Sequence, residues 1–373
     1  EIAAGRLTPE VMWKMSRAGS SSISPDGTTL LYQQTDYNIA ENRGVTTIWV
    51  EDLASKAVTR LTDNTSNNVS PKWSADGSRI YFLSDRSGSM QVWEMTAAGA
   101  NAKQLSDLDK DIEGFGVSPK GDKAWYVQRI QVADRRSSDV YKDMDKSKAR
   151  IYDDLMARHW DYWDEGEYMH IFVGDFGPEG IKPGVDIIGA EAAWDAPLAP
   201  YFDMAEIAWS NAGDKLAYTC KPLAGTDYAL STDSDIFVYD RASGRTVNIC
   251  KPMEGRVRFN AMVHRNTPFP GYDKYPVWSP DGKQIAFASD RNGNFDLFIM
   301  PADGGTAQRL TYHSASEIPS AFTPDGKFVL FSASIQDPAG SALFPTGAMT
   351  ELYKVPADGG RTEQVLATPA EWV

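Results

Sequence analysis

A chain of 373 residues that is 42% hydrophobic and 24% charged, with 11 Trp, 16 Tyr and 15 Phe, has enough apolar side chain for a large core and is not a disordered tail. Its formal net charge of −14 repels phosphate backbones and no Lys/Arg stripe offsets it, which excludes nucleic acid as a partner. No apolar run approaches the roughly 18–20 residues that cross a bilayer, so no membrane partner is expected.

Thirty glycines and 21 prolines are spread along the chain, the mark of many turns. In chain order one phrase recurs: "SSISPDGTTLLY" (21–32), "SPKWSADGSRIYFL" (70–83), "GFGVSPKGDKAWYV" (114–127), "EIAWSNAGDKLAYT" (206–219), "YPVWSPDGKQIAFA" (275–288) and "PSAFTPDGKFVLFS" (319–332). The step is 44 residues from Ser74 to Ser118 and again from Ser279 to Thr323, and longer elsewhere, so a unit of that size carries insertions. Each phrase predicts a hairpin: Pro25 presets φ, Asp26 bonds its own backbone and Gly27 takes the left-handed conformation, as do Pro280, Asp281 and Gly282 in the fifth copy. A second strand follows (Ile80 and Phe82, or Ile285 and Phe287), then an "SDRxG" loop, a third strand ("MQVWEM", "FDLFIM"), a Gly-rich turn and a short fourth strand. Four antiparallel strands per unit predict an all-β protein, a β-propeller most simply of six blades, with a seventh, degenerate blade in 130–205 left open.

The blades are expected at about 20–63, 69–106, 113–190, 205–250, 275–311 and 318–367, within a single propeller domain spanning 1–373. The insertions at 34–46, 131–169, 221–234 and 335–350 all fall between the second and third strands. One face therefore carries nearly all of the elaboration and is the expected functional surface.

Candidate residues follow from that surface. "RHWDYWDEGEY" (158–168) sets Trp160 and Trp163 among Asp161, Asp164, Glu165 and Glu167, a grouping suited to an α-amine held by carboxylates and an adjoining side chain held by rings. The plainer reading is a solvated acidic loop packed by its tryptophans. Arg256 and Arg258, in the link 251–274, suit a carboxylate or an acidic patch, or are ordinary loop charge. In the SDRxG loops, Asp85 and Asp290 are expected to cap the turn amides, with Arg86 and Arg291 pairing to a neighbouring blade. "DLDKDIEG" (107–114) lacks the glycine and distal glutamate of a calcium loop and reads as a polar link. No metal or other cofactor is expected. Cys220 and Cys250 read either as two buried thiols or as one bridge.

Residues 1–250, with "YNIAENRG", "RHWDYWDEGEYMHIFVGDF" and "YALSTDSDIFVYD", resemble the propeller domain of bacterial dipeptidyl and acylaminoacyl peptidases of the prolyl oligopeptidase family. Residues 265–369, with "TPFPGYDKYPVWSPDGKQIAFASDRNGNFDLFIMPADGG" and "FPTGAMTELYKVPADGGR", are closer to the propeller of tricorn-like proteases, and the bare SPDG repeat is shared by TolB-like propellers. The chain reads as a natural mixture of related blades or as a spliced or designed one.

The resemblance implies a peptide or protein ligand and an α/β-hydrolase domain carrying a G-x-S-x-G nucleophile. No G-x-S-x-G occurs here, and none of His159, His170, His264 and His313 sits in the pattern a triad requires. The expectation is a non-catalytic module that gates access to a serine peptidase and recognises its substrate; the alternative is a stand-alone TolB-like scaffold that binds protein. The opening "EIAAGRLTPE" has no basic-then-apolar leader; the resemblance implies a periplasmic or secreted protein, whose signal peptide is then taken to have been removed.

Overall fold

Each S-x-D-G phrase closes its hairpin with the same bonds. In the first, Ser24 Oγ donates to Asp26 Oδ1 (2.5 Å), the Thr28 amide donates to the same oxygen (3.1 Å), the Thr29 amide donates to Ser24 Oγ (2.9 Å), and Gly27 sits at φ 75°. Ser279, Asp281 and Gly282 repeat this pattern, with Gly282 at φ 69°. Where the phrase reads "SPKGD" or "SNAGD" the aspartate has moved beyond the glycine, yet Ser118 still donates to Asp122 (2.8 Å) and Ser210 to Asp214 (2.6 Å). The turn needs a hydroxyl and a carboxylate in reach, and tolerates either order.

The protein is described here by a computed structural model covering residues 7–198, 203–250, 271–335 and 350–366. It is a six-blade β-propeller of antiparallel sheets, in each of which strands A to D lie side by side in sequence order. Blade 1 is Arg17–Ile23, Thr29–Asn38, Arg43–Asp52 and Val58–Arg60; blade 2 is Asn68–Trp73, Arg79–Ser84, Gln91–Thr96 and Lys103–Gln104. Blade 3 is Gly114–Val117, Lys123–Gln131, Glu167–Gly177 and Gly180–Ile181, with Val185–Asp186 as a fifth short strand. Blade 4 is Ile207–Trp209, Lys215–Cys220, Asp235–Asp240 and Arg245–Asn248; blade 5 is Asp273–Trp278, Gln284–Ser289, Asp296–Pro301 and Gln308–Arg309. Blade 6 is Glu317–Phe322, Phe328–Ala333, Glu351–Pro356 and Glu363–Leu366. Among the described residues, no helix is long and apolar enough to cross a membrane.

Two compact units emerge. One holds the described residues up to Arg129 with Phe172–Val185, and the other holds Ile130–Ile171 with those from Asp186 onward. In the first, Leu31 and Ile48 of blade 1 pack on Ile80, Phe82 and Met95 of blade 2. In the second, blade 5 sends Ile285 and Phe287 into a cluster with Ile236 and Val238 of blade 4, and Ala286 into a cluster with Val329 and Phe331 of blade 6. Alternate residues of one strand thus serve two cores, which is why this strand reads as a continuous apolar run. Each fully buried Phe contributes about 1.5–3 kcal/mol.

A second repeat was not apparent from the phrases. The amides of Ile48, Val92, Ile236 and Leu297, all in strand C, donate to Thr62, Ser106, Cys250 and Thr311, always fourteen residues onward. Cys250 therefore stands where other blades use a hydroxyl. It and Cys220 are both free and buried, which selects two thiols over a bridge. Blade 1 differs from expectation as well: 34–46 is not a loop insertion but a lengthened hairpin paired to Asn38↔Arg43, helped by the Thr35–Thr46 hydroxyl contact at 2.8 Å.

Candidate functional site

The long segment between strands B and C of blade 3 is pinned at its base. The amides of Val132 and Ala133 both donate to Gly166 O (2.9 and 3.2 Å), and Gly166 lies at φ 78°, where a Cβ would come within 1.9 Å of Ala133 O. Only glycine closes that neck. From it rises a small hairpin, Arg158–His159 paired with Tyr162–Trp163, whose turn holds Trp160 at φ 47°. Trp160 is 62% exposed and Trp163 43%. The Arg150 and Arg158 guanidinium carbons each stand 5.5 Å from the centre of the Trp163 ring, which also stacks on Tyr152.

The carboxylates proposed for amine binding divide into two kinds. Glu165 is bound by Arg150 through Nε (2.9 Å) and Nη2 and by Arg136 (3.2 Å); the Arg150 hydrogen bond holds its carboxyl below the usual glutamate value, and Arg136 adds to this. Its charge is spent on two guanidiniums. Asp161 and Glu167 are exposed, and their carboxylates form no hydrogen bond or ion pair among the described residues. Asp164, expected in the same amine-binding cluster, instead anchors the segment by bonding the Gly166 amide (2.8 Å) and Arg135 (3.1 Å). The segment also reaches the blade 4 insertion, where Asp154 accepts from Thr226. In that insertion Lys221 donates to Tyr228 O (2.9 Å) and Ser231 O (2.6 Å); burial draws its ammonium down to about 8. Arg256 and Arg258 lie outside the described residues.

The SDRxG loops carry a correction. Asp85 does not cap its own turn: its carboxylate accepts from the Asn67 amide (2.8 Å) and Asn67 Nδ2 (2.9 Å), while Asp290 accepts from the Tyr272 amide (2.6 Å). Both tie the loop to the entrance of strand A. The hydrogen bonds that the arginines make to described residues lie within their own blades. Arg86 bonds Ser84 (3.0 Å) and Asn68 (2.5 Å); Arg291 bonds Ser289 (2.8 Å) and both oxygens of Asp273 (2.8 Å each). The reason is reach, because strands A and B lie side by side and the arginine sits two residues past the end of strand B. Gly88 (φ 99°) and Gly293 (φ 113°) close the loops in the left-handed region.

Several buried charges escaped sequence reading. Glu206, 0% exposed, pairs with Lys274 at 2.8 Å, yet burial still pushes its carboxyl up to about 7. His170 is fully buried between Asp186 (2.8 Å) and Ala192 O (2.9 Å). Asp235, Cys250 and Asp273 bring possible ligand atoms within 4.8 Å of one another. Asp273 is already held by Arg291, and burial pushes the Cys250 thiol far above its ordinary value, so the grouping is a hydrogen-bonded junction. The available signal was a carboxylate at or just before the first residue of strands A and C.

Stacked four-stranded sheets with S-x-D-G hairpins and SDRxG loops define a β-propeller of short repeats. The TolB beta propeller domain model matches residues 8–212, and the tricorn protease N-terminal beta propeller domain model matches residues 223–373. The chain belongs to the TolB β-propeller domain family. It is 33% identical over 367 residues to dipeptidyl-peptidase 5 of Porphyromonas gingivalis, covering 96% of this chain and 49% of that protein. It is 32% identical over 288 residues to dipeptidyl-peptidase 5 of Porphyromonas endodontalis, covering 77% and 39%. The chain thus spans about half or less of the length of these relatives. The acylaminoacyl peptidase of Pyrococcus horikoshii shares the fold, with a TM-score of 0.61 at 14% identity over 97% of this chain and 47% of that one.

Proposed function

We propose that this propeller is the non-catalytic module of a serine-peptidase-type protein, gating access to an α/β-hydrolase partner domain and recognising peptide substrate in the periplasm or outside the cell. The observation that carries this reading is the alignment of nearly the whole chain with about half of a dipeptidyl-peptidase 5. The insertions of blades 3 and 4, joined through Asp154 and Thr226, supply the contact surface. With Glu165 neutralised, the free carboxylates of Asp161 and Glu167 beside Trp160 and Trp163 are the groups left to meet a peptide α-amine, and Arg256 and Arg258 are assigned to its carboxylate end.

Calorimetric titration with a short peptide tests this. Binding should be lost on N-acetylation of the peptide and weakened several-fold in Asp161→Asn/Glu167→Gln. Equal binding of free and acetylated peptides would overturn amine recognition. Chromogenic dipeptide and acyl-peptide substrates should show no turnover with this chain alone; turnover would overturn the non-catalytic assignment. A second reading, a TolB-like scaffold that binds protein, is favoured by the family match over residues 8–212. It predicts tight capture of a folded protein that is indifferent to the Asp161/Glu167 change.

A further inference from the structure

Strand register aligns one row, polar except at Ala333 of blade 6, at the B–C end of three blades. In blade 2 it is Asn68, Ser84 and Gln91; in blade 5, Asp273, Ser289 and Asp296; in blade 6, Glu317, Ala333 and Glu351. Residues paired in this way share a sheet face. In blade 5 the arginine two residues beyond Ser289 clamps Asp273 through both oxygens. The residue two beyond Ala333 in blade 6 is Ile335. Glu317, 1% exposed, therefore occupies a clamped position whose clamp has been replaced by an apolar side chain.

What Glu317 meets instead comes largely from blade 5. Thr311 donates its only hydroxyl proton to Glu317, and accepts from the Leu297 amide at 2.9 Å. The neighbour of Leu297 is Asp296, 0% exposed, whose ion-pair partner is Arg309 (2.7 Å). Arg309 is held in turn by Thr311 O (2.8 Å) and by the Tyr312 ring. A cavity of about 680 Å³ opens beside Glu317, bordered by His313, Arg361 and Glu363. Glu363 pairs with Lys354, and Glu351 is held by Tyr353 (2.5 Å) and Gln364 (2.9 Å). Asp296 thus has Arg309 as its ion-pair partner, while Glu317 is held by the Thr311 hydroxyl with Arg309 acting on it only through its field.

We propose that the junction of blades 5 and 6 is a proton-responsive latch, in which Asp296 and Glu317 share Arg309 and one proton, and loss of that proton sets two carboxylates against each other and loosens the seam. Burial pushes Glu317 up to about 7, and Asp296 adds to the rise. A carboxyl raised in the folded state contributes stability that is fully present below its unfolded value and lost as the pH climbs through the folded one. The latch is closed in mildly acidic solution and opens above neutrality.

Hydrogen exchange of the full chain at about pH 6 and about pH 8.5, corrected for intrinsic rates, reads the latch directly. Peptides covering Asp296–Thr311 and Glu317–Ala333 should lose protection about tenfold relative to Arg79–Thr96 of blade 2, the equivalent of one pKa unit. Glu317→Gln keeps an acceptor for Thr311 and removes the charge, so the difference should vanish. Ile335→Arg restores the clamp that blade 5 has and should flatten the response on its own, which decides the matter if Glu317→Gln does not fold. Glu206→Gln should leave the response intact. An unchanged seam in the native protein, or a native pH response persisting in Ile335→Arg or Glu317→Gln, overturns the proposal.

Discussion

Set side by side, the SDRxG loops of blades 2 and 5 place the same arginine against different partners: Arg86 reaches the neutral amide of Asn68, whereas Arg291 reaches both oxygens of Asp273. Backbone geometry, serine contact and aromatic neighbours match, since Arg86 lies over Phe82 and Trp93 and Arg291 over Phe287 and Phe298. What differs is the charge left behind if the arginine goes. Asp273 is 0% exposed, and burial raises its carboxyl against the pull of Arg291; Asn68 carries nothing to neutralise. One loop shape therefore serves a neutral row in blade 2 and an acidic row in blade 5, and only the acidic row has a protonation state.

The largest test of this contrast is Arg291→Leu against Arg86→Leu. Chemical denaturation should show a loss of about 3–5 kcal/mol for the first, which strands a buried carboxylate, and about 1–2 kcal/mol for the second. Equal losses would erase the distinction. Next, stability should fall as pH rises from about 5 to about 8, because Glu206 and Glu317 are both raised to about 7 and their contributions are lost on the way. Thermal unfolding across that range should show the decline, and Glu206→Gln/Glu317→Gln should reduce it. The hairpin aspartates work the other way: Ser74 and Ser78 hold Asp76 down at about 2, so its contribution is present above the ordinary carboxylate value and lost only as the pH falls through about 2.

A smaller effect separates the two loop aspartates. Asp85→Ala removes two bonds and Asp290→Ala one, so melting should drop more for the first, by about 2 against about 1 kcal/mol. For Asp290→Ala the melting temperature should change while peptide affinity does not. Smallest of all, Trp160→Ala should alter stability by less than about 0.5 kcal/mol, since the ring is exposed, yet weaken peptide binding. A drop in melting temperature without a change in affinity would make Trp160 a packing residue.

Much of the fold was legible because its signals are local. The Ser24–Asp26–Gly27 turn is made of bonds that span at most five residues, so its recurrence counts the blades without any knowledge of their packing. The candidate site was legible only as a stretch. Glu165 was expected among the amine ligands, but its two arginines come from 15 and 29 residues upstream, and nothing in "DEGEY" announces them. Likewise the 34–46 segment has the polarity of a loop, and only strand pairing up to Asn38 and Arg43 reveals a hairpin.

By itself the sequence determined the repeating hairpins, the four-strand unit and the family, because turn chemistry and strand alternation act between near neighbours in the chain. Tertiary structure alone decided which charges are buried, which are paired and which are left to share. Pairing of strands A and B within blade 5 brings Asp273 to Arg291 across 18 residues, while in blade 6 the matching position after strand B is Ile335 and Glu317 takes its hydroxyl donor, Thr311, from blade 5. Burial then turns those pairings into energies, since a carboxylate removed from water depends on whichever cation the neighbouring strand supplies.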